Sequence, residues 1–89
     1  MTDVATSIEV TVRYFAAACA AAGTEQEVLT VRPGTTVAEL IARLASDSAE
    51  LTDVLRRCSY LCDGIAAGDG IAELRHGQTV DVLPPFAGG

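Results

Sequence analysis

Thr36-Val37-Ala38-Glu39-Leu40-Ile41-Ala42-Arg43-Leu44 carries the clearest periodic pattern in this 89-residue chain. Thr36 is a candidate N-cap, and Glu39 stands three residues on, the spacing of a capping box. Val37, Leu40, Ile41 and Leu44 fall at i, i+3, i+4 and i+7, which gives a helix with one apolar face. Such a face needs another layer to cover it. On the N-terminal side, Val28 to Val31 reads as a short strand that stops at Arg32-Pro33-Gly34, a turn signal. Before it, Phe15 to Ala22 is alanine-rich and ends at Gly23, a short helix with a glycine stop. Ile8-Glu9-Val10-Thr11-Val12-Arg13 alternates apolar and polar, as a half-buried strand does, and Met1 to Ser7 reads as a frayed start. On the C-terminal side, Leu51, Val54, Leu55 and Cys58 share one face of a second helical stretch, with Arg56 and Arg57 expected in its last turn. Asp63-Gly64, Asp69-Gly70 and His76-Gly77 then mark turns between short strands. Thr79-Val80-Asp81-Val82-Leu83 alternates again, and Pro84-Pro85 must end that strand because proline donates nothing to a sheet ladder. The order predicts an α+β roll, one sheet packed on one main helix.

Composition narrows the function. The length suits one domain, and a domain of this size buries only about 60–65% of its unfolded surface. Apolar residues make up 49% of the chain and aromatics 4%, so the core must be built mainly from Leu, Ile and Val. The net charge of −6 disfavours nucleic acid and anionic membrane as partners and favours a basic protein surface. All six cations are arginines, so lysine chemistry such as a Schiff base is excluded within the chain. An odd cysteine count, no cationic leader pattern at the start and no apolar run near the ~20 residues of a membrane span predict a cytoplasmic protein with reduced thiols.

The segment Pro84-Pro85-Phe86-Ala87-Gly88-Gly89 reads as a tail and residues 1–83 as the domain. Two prolines favour an extended path away from the sheet. Six residues reach about 20 Å when extended, enough to enter another protein's active site. Gly88 and Gly89 have no Cβ, so they thread a narrow channel and leave a terminal carboxylate sterically open. A carboxylate is a poor electrophile until it is coupled to AMP, which then leaves in favour of a sulfur or nitrogen nucleophile. Frayed glycines without function are the plainer alternative, but a cleanly alternating strand that stops at a double proline makes an organised tail.

The chain resembles the ubiquitin-like sulfur carriers, and among them the small subunits of molybdopterin synthase. The resemblance spans about Ile8 to Gly89. It rests on Val10-Thr11-Val12-Arg13-Tyr14-Phe15-Ala16, on Thr36-Val37-Ala38-Glu39-Leu40, and above all on Val82-Leu83-Pro84-Pro85-Phe86-Ala87-Gly88-Gly89. It implies a β-grasp fold with a mixed sheet. It implies that the chain is not catalytic on its own but is the sulfur-donating subunit of a heteromeric sulfurtransferase. An adenylyltransferase related to ubiquitin-activating enzymes would use ATP to activate Gly89, and a sulfur donor enzyme would convert it to a thiocarboxylate. The large synthase subunit would then pass the sulfur to cyclic pyranopterin monophosphate. No bound cofactor is implied. Cys62-Asp63-Gly64 stands where the family commonly has Val-Asn-Gly, and Gly77-Gln78 where it favours Gly-Asp. Carriers for thiamine or cysteine synthesis, and ubiquitin-like modifiers that conjugate to lysines, share the tail chemistry and remain alternatives.

Phe15, Leu83, Pro84, Pro85, Phe86 and Ala87 are the expected partner contacts, with Gly88 and Gly89 as the reacting end. Phe15 and Leu83 read equally as core. Phe86, after two prolines, is harder to bury in so small a core. Cys58 and Cys62 read as small core residues, since neither a zinc site nor a four-cysteine cluster finds enough ligands; no metal is expected. His76, Asp63 and Asp69 read as turn residues before glycine.

Overall fold

In the computed structural model of the chain, residues 7–46 and 48–85 are described. The elements are β1 (Ile8–Tyr14), α1 (Ala16–Ala22), β2 (Gln26–Val31), α2 (Val37–Ala45), α3 (Ala49–Leu55), β3 (Ser59–Cys62), β4 (Ile65–Ala66) and β5 (Thr79–Leu83). The sheet order is β2-β1-β5-β3-β4. β1 and β5 run parallel at its centre, and the outer pairs are antiparallel. This is the mixed sheet of a β-grasp, the fold that the resemblance implies.

Alternation sets the two faces of the sheet. Val10, Val12 and Tyr14 of β1 and Val80 and Val82 of β5 point to one side and are buried. Val37, Leu40 and Leu44 of α2 close over them, joined by Leu51 and Leu55 of α3, Ala18 of α1 and Leu74 from the loop before β5. The capping box forms as read: the Glu39 N–H donates to Thr36 Oγ1 at 3.1 Å and the Thr36 N–H to Glu39 Oε1 at 2.9 Å. Asp63-Gly64 makes a two-residue hairpin between β3 and β4, with both residues at positive φ. Asp63 Oδ1 also accepts the Thr79 N–H at 2.9 Å, which ties this hairpin to β5.

Three boundaries differ from the sequence reading. β2 begins at Gln26, two residues before Val28, because Gln26 pairs with Arg13. α1 starts at Ala16, with Phe15 as an extended N-cap. α3 ends at Leu55, so Arg56 is its C-cap and Arg57 and Cys58 lie beyond the helix, not in its last turn. The Arg57 and Cys58 N–H groups reach back only three residues, to Val54 and Leu55. The chain tightens there because β3 must begin at Ser59 opposite Leu83.

β2 is an edge strand, and its open side is partly closed. The Tyr14 N–H donates to Glu25 O at 2.8 Å, so with the observed register the main-chain polar groups of the odd-numbered residues of β2 face β1 and those of Gln26, Val28 and Thr30 face outward. Thr24 Oγ1 donates to Gln26 O at 3.1 Å and Arg43 Nη1 to Thr30 O at 2.8 Å. Two of the three outward carbonyls are thus occupied, which discourages strand addition by another chain.

Gly70 has φ +78°, and a Cβ there would lie 3.1 Å from both the Cβ and N of Ala38. Its carbonyl accepts the Ala38 N–H at 3.0 Å, so the loop cannot simply retreat from α2. Gly70→Ala combines a left-handed alanine with overpacking and is expected to destabilise by about 2–4 kcal/mol. Gly68→Ala, at φ +60° with no atom within 4 Å of the added Cβ, is the comparison and is expected to cost about 1–2 kcal/mol. Urea unfolding of the two variants checks the difference.

Candidate functional site

Pro84 and Pro85 follow the central strand of the sheet. β5 is paired on both sides, to β1 in parallel from Thr11–Thr79 through Tyr14–Val82 and to β3 from Ser59–Leu83 through Cys62–Val80. Val80 and Val82 anchor it from below at 0% exposure. Pro84 is buried and Pro85 exposed, so the chain turns outward between them. Phe86, Ala87, Gly88 and Gly89 lie outside the described residues.

The structure brings Phe15 and Leu83 together. The Phe15 N–H donates to Val82 O at 3.2 Å, which continues the parallel pairing one step past Tyr14 and sets Phe15 beside Leu83 on the outer face. Both are half-buried, so neither belongs to the core. Ala16, which follows, holds φ +50°, a left-handed conformation costing alanine about 1–2 kcal/mol, at the turn from β1 into α1.

Two charged residues that the sequence reading passed over share this face. Arg13 and Asp81 are register partners, and Leu61 is opposite Asp81 on the other side. Arg13 Nε donates to Asp81 Oδ1 at 2.7 Å and Nη2 to Oδ2 at 2.9 Å. The Arg13 guanidinium also lies 5.5 Å above the Phe15 ring centroid. Hydrogen bonding to Asp81, with its charge, raises the Arg13 pKa further above its ordinary value. The clue in the sequence is that each is the polar residue of an alternating strand, Val12-Arg13-Tyr14 and Val80-Asp81-Val82. Opposing them requires knowing that strands 68 residues apart pair in parallel.

Behind the tail root, on the helix side, Ala17, Asp53, Val54, Arg57, Pro84 and Pro85 line a cavity of about 220 Å³. Arg57 and Asp53 form an exposed ion pair at 3.9 Å there, of a kind worth little on its own.

The remaining candidates sit apart from the tail chemistry. Cys19, Cys58 and Cys62 are free thiols, all half-buried. Cys58 Sγ donates to Val54 O at 3.2 Å, and burial pushes its pKa up. Burial, with the charge of Asp63 adding to it, pushes the Cys62 thiol up as well. Tyr60 donates to Leu55 O at 2.6 Å, and its phenol is pushed up to about 12, chiefly by burial and secondarily by Cys58. Raised thiol pKa values favour the folded state below the ordinary thiol value of 9.0 and lose that contribution as pH rises through the folded values. Iodoacetamide at neutral pH is therefore expected to label Cys58 and Cys62 more slowly than it labels them in urea. Equal rates would mean the thiols are activated. His76 is exposed, and its Nδ1 accepts the Glu9 N–H at 3.0 Å, so it fastens a turn to β1. Asp69 Oδ1 accepts the Ile71 N–H at 3.3 Å within its own turn. Among the described residues, no helix is long and apolar enough to cross a membrane.

With this geometry in place, three comparisons bear on identity. No curated protein matches the chain significantly. Among solved structures, HVO 2177 of Haloferax volcanii is similar, with TM-score 0.84 and 25% identity over 100% of this chain and 93% of that one. The small archaeal modifier protein 1 of Methanosarcina acetivorans has TM-score 0.77 and 24% identity, covering 93% of this chain and 98% of its own. A chain of the protein-protein complex of subunits 1 and 2 of molybdopterin-converting factor from Helicobacter pylori has TM-score 0.69 and 21% identity, covering 92% of this chain and 100% of its own. These likenesses concern the fold, whereas the match to the ThiS family runs over residues 12–89 and includes the whole of the tail. The chain belongs to the ThiS family of ubiquitin-like sulfur carriers.

Proposed function

We propose that this chain is the sulfur-carrying small subunit of a molybdopterin synthase, working in the cytoplasm. The observation that supports it most is the tail root. A centrally paired strand ends at Pro84-Pro85, and Phe15 and Leu83 stand side by side on the adjoining face. A rigid root aims a short tail, and a small apolar face next to it gives a partner something to grip. In this reading an oxygen of the Gly89 carboxylate attacks ATP on an adenylyltransferase and pyrophosphate leaves. A sulfide equivalent from a sulfur donor enzyme then attacks the acyl carbon and AMP leaves, giving the thiocarboxylate. Phe15, Leu83, Pro84, Pro85, Phe86 and Ala87 dock against the large subunit, while Gly88 and Gly89 thread to its active site. There the sulfur passes to cyclic pyranopterin monophosphate. The likeness to a chain of the Helicobacter pylori complex of molybdopterin-converting factor subunits 1 and 2 supports the choice of partner.

The likeness to small archaeal modifier protein 1 favours a second reading, in which the same activated Gly89 acylates lysines on other proteins. The two part at the acceptor. The decisive experiment is intact mass after incubation with the host's activating enzyme, ATP and a sulfur source. A gain equal to one sulfur replacing one oxygen, discharged by the large subunit with its pterin precursor, supports the synthase reading. Covalent adducts on lysines of other proteins, with no discharge by the large subunit, support the modifier. No mass change, with an activating enzyme proven on another carrier, overturns both.

A further inference from the structure

We propose that Arg13, fixed by Asp81 beside the tail root, selects the partner by requiring an acceptor oxygen from the surface that docks there. This rests on the carrier reading and names the chemistry its partner must present. Arg13, Asp81 and Leu61 form one row across three strands of the outer face, and Phe15 and Leu83 stand in the next row towards Pro84. Asp81 spends both oxygens on Arg13, at 2.7 and 2.9 Å, and is itself only 8% exposed. Its charge is therefore neutralised by Arg13 and shielded from solvent. The Arg13 side chain is 47% exposed. A guanidinium has five N–H donors, and Asp81 takes those of Nε and one on Nη2. The Nη1 donors take no acceptor among the described residues, in a side chain that is half exposed and lies over the Phe15 ring.

A partner that covers Phe15 and Leu83 also strips water from that donor edge. A wholly apolar partner surface would leave guanidinium N–H groups buried and unpaired, which is costly. A surface with a carboxylate or main-chain carbonyl oxygen opposite Arg13, set among apolar side chains, satisfies them. The partner that fits is the large synthase subunit, bearing that oxygen. The choice follows from the donor edge itself and from its continuity with the tail exit. Rejection of all-apolar surfaces is also how one carrier is kept from the partner of another.

The test measures binding of the full chain to its own large synthase subunit by calorimetry. The Arg13→Leu/Asp81→Leu double variant replaces the pair by apolar side chains, and its circular dichroism melt reports whether it folds. It is expected to bind at least about tenfold more weakly than the wild type. Affinity within about twofold of wild type overturns the inference, since the pair is then merely structural. Should the double variant not fold, Arg13→Lys decides. Lysine keeps the charge over Asp81 but lacks the second planar edge, so weakened binding supports the inference and unchanged binding overturns it. If the wild-type chain does not bind the large subunit at all, the synthase reading fails and takes this inference with it. The wild-type measurement alone separates the two failures.

Discussion

Deleting Gly88 and Gly89 is expected to abolish sulfur loading and to change stability by less than about 0.5 kcal/mol. The two effects should separate because the proposed chemistry lies outside the part of the chain that builds the core. β5 ends at Leu83, Pro84 is the last buried residue described and Pro85 is already exposed. Among the described residues, nothing in the core cluster lies beyond Val82. The shortened chain still ends in a carboxylate, now on Ala87. That carboxylate falls about 7 Å short of its former reach and sits next to a Cβ. Since a misplacement of about 1 Å costs on the order of 100-fold in a positioned reaction, loading should drop below detection. An uncleavable extension after Gly89 should have the same outcome for a different reason, because no free carboxylate remains to attack ATP. The same tag at the N-terminus should be harmless to loading. Intact mass reads loading, and a thermal melt reads the fold. Full loading of the truncated or C-terminally extended chain would remove the tail from the mechanism.

What could be read from the sequence was local. The Thr36–Glu39 capping box and the 3.6-residue spacing of Val37, Leu40 and Leu44 are contained within nine residues, and they appear as expected. Asp63-Gly64 announces its own hairpin for the same reason. The errors lie where distant pairing overrides local preference. The stretch after Leu55 looks helical as far as Cys58, but pairing of Ser59 with Leu83 ends the helix early. Gln26 and Glu27 break the apolar pattern of β2, yet β1 recruits them, and Glu27 then accepts the Tyr14 hydroxyl at 2.6 Å. Phe15 and Leu83 read equally as core or contact because alternation gives a face and not its covering. Only the β1–β5 register places them together on the side away from α2. The Arg13–Asp81 pair was invisible for the same reason.

Leu40→Ala should be the most destabilising change within the domain. Leu40 is 0% exposed at the middle of α2, between Val37 and Leu44, and shares the core with Val10, Val12, Val80 and Val82. Truncation leaves a cavity beneath the central strands, and a sheet paired on both sides has little freedom to collapse into it. The expected loss is about 2–5 kcal/mol, a large part of the roughly 5–15 kcal/mol that holds a small domain together. In urea the midpoint should fall sharply while the slope stays unchanged, because the surface exposed on unfolding hardly alters. Ile41→Ala, one residue along but only half-buried, should cost less. The mutation also probes how the fold serves the tail. Val80 and Val82 rest on the same core and hold the strand from which the tail departs. Loading of the Leu40→Ala variant should therefore persist well below its melting temperature and vanish with the fold as it is warmed. A loss of stability under about 1 kcal/mol would mean that α2 does not bear on the sheet through Leu40. Loss of loading in the fully folded variant would mean that the tail root depends on core packing more finely than its strand pairing accounts for.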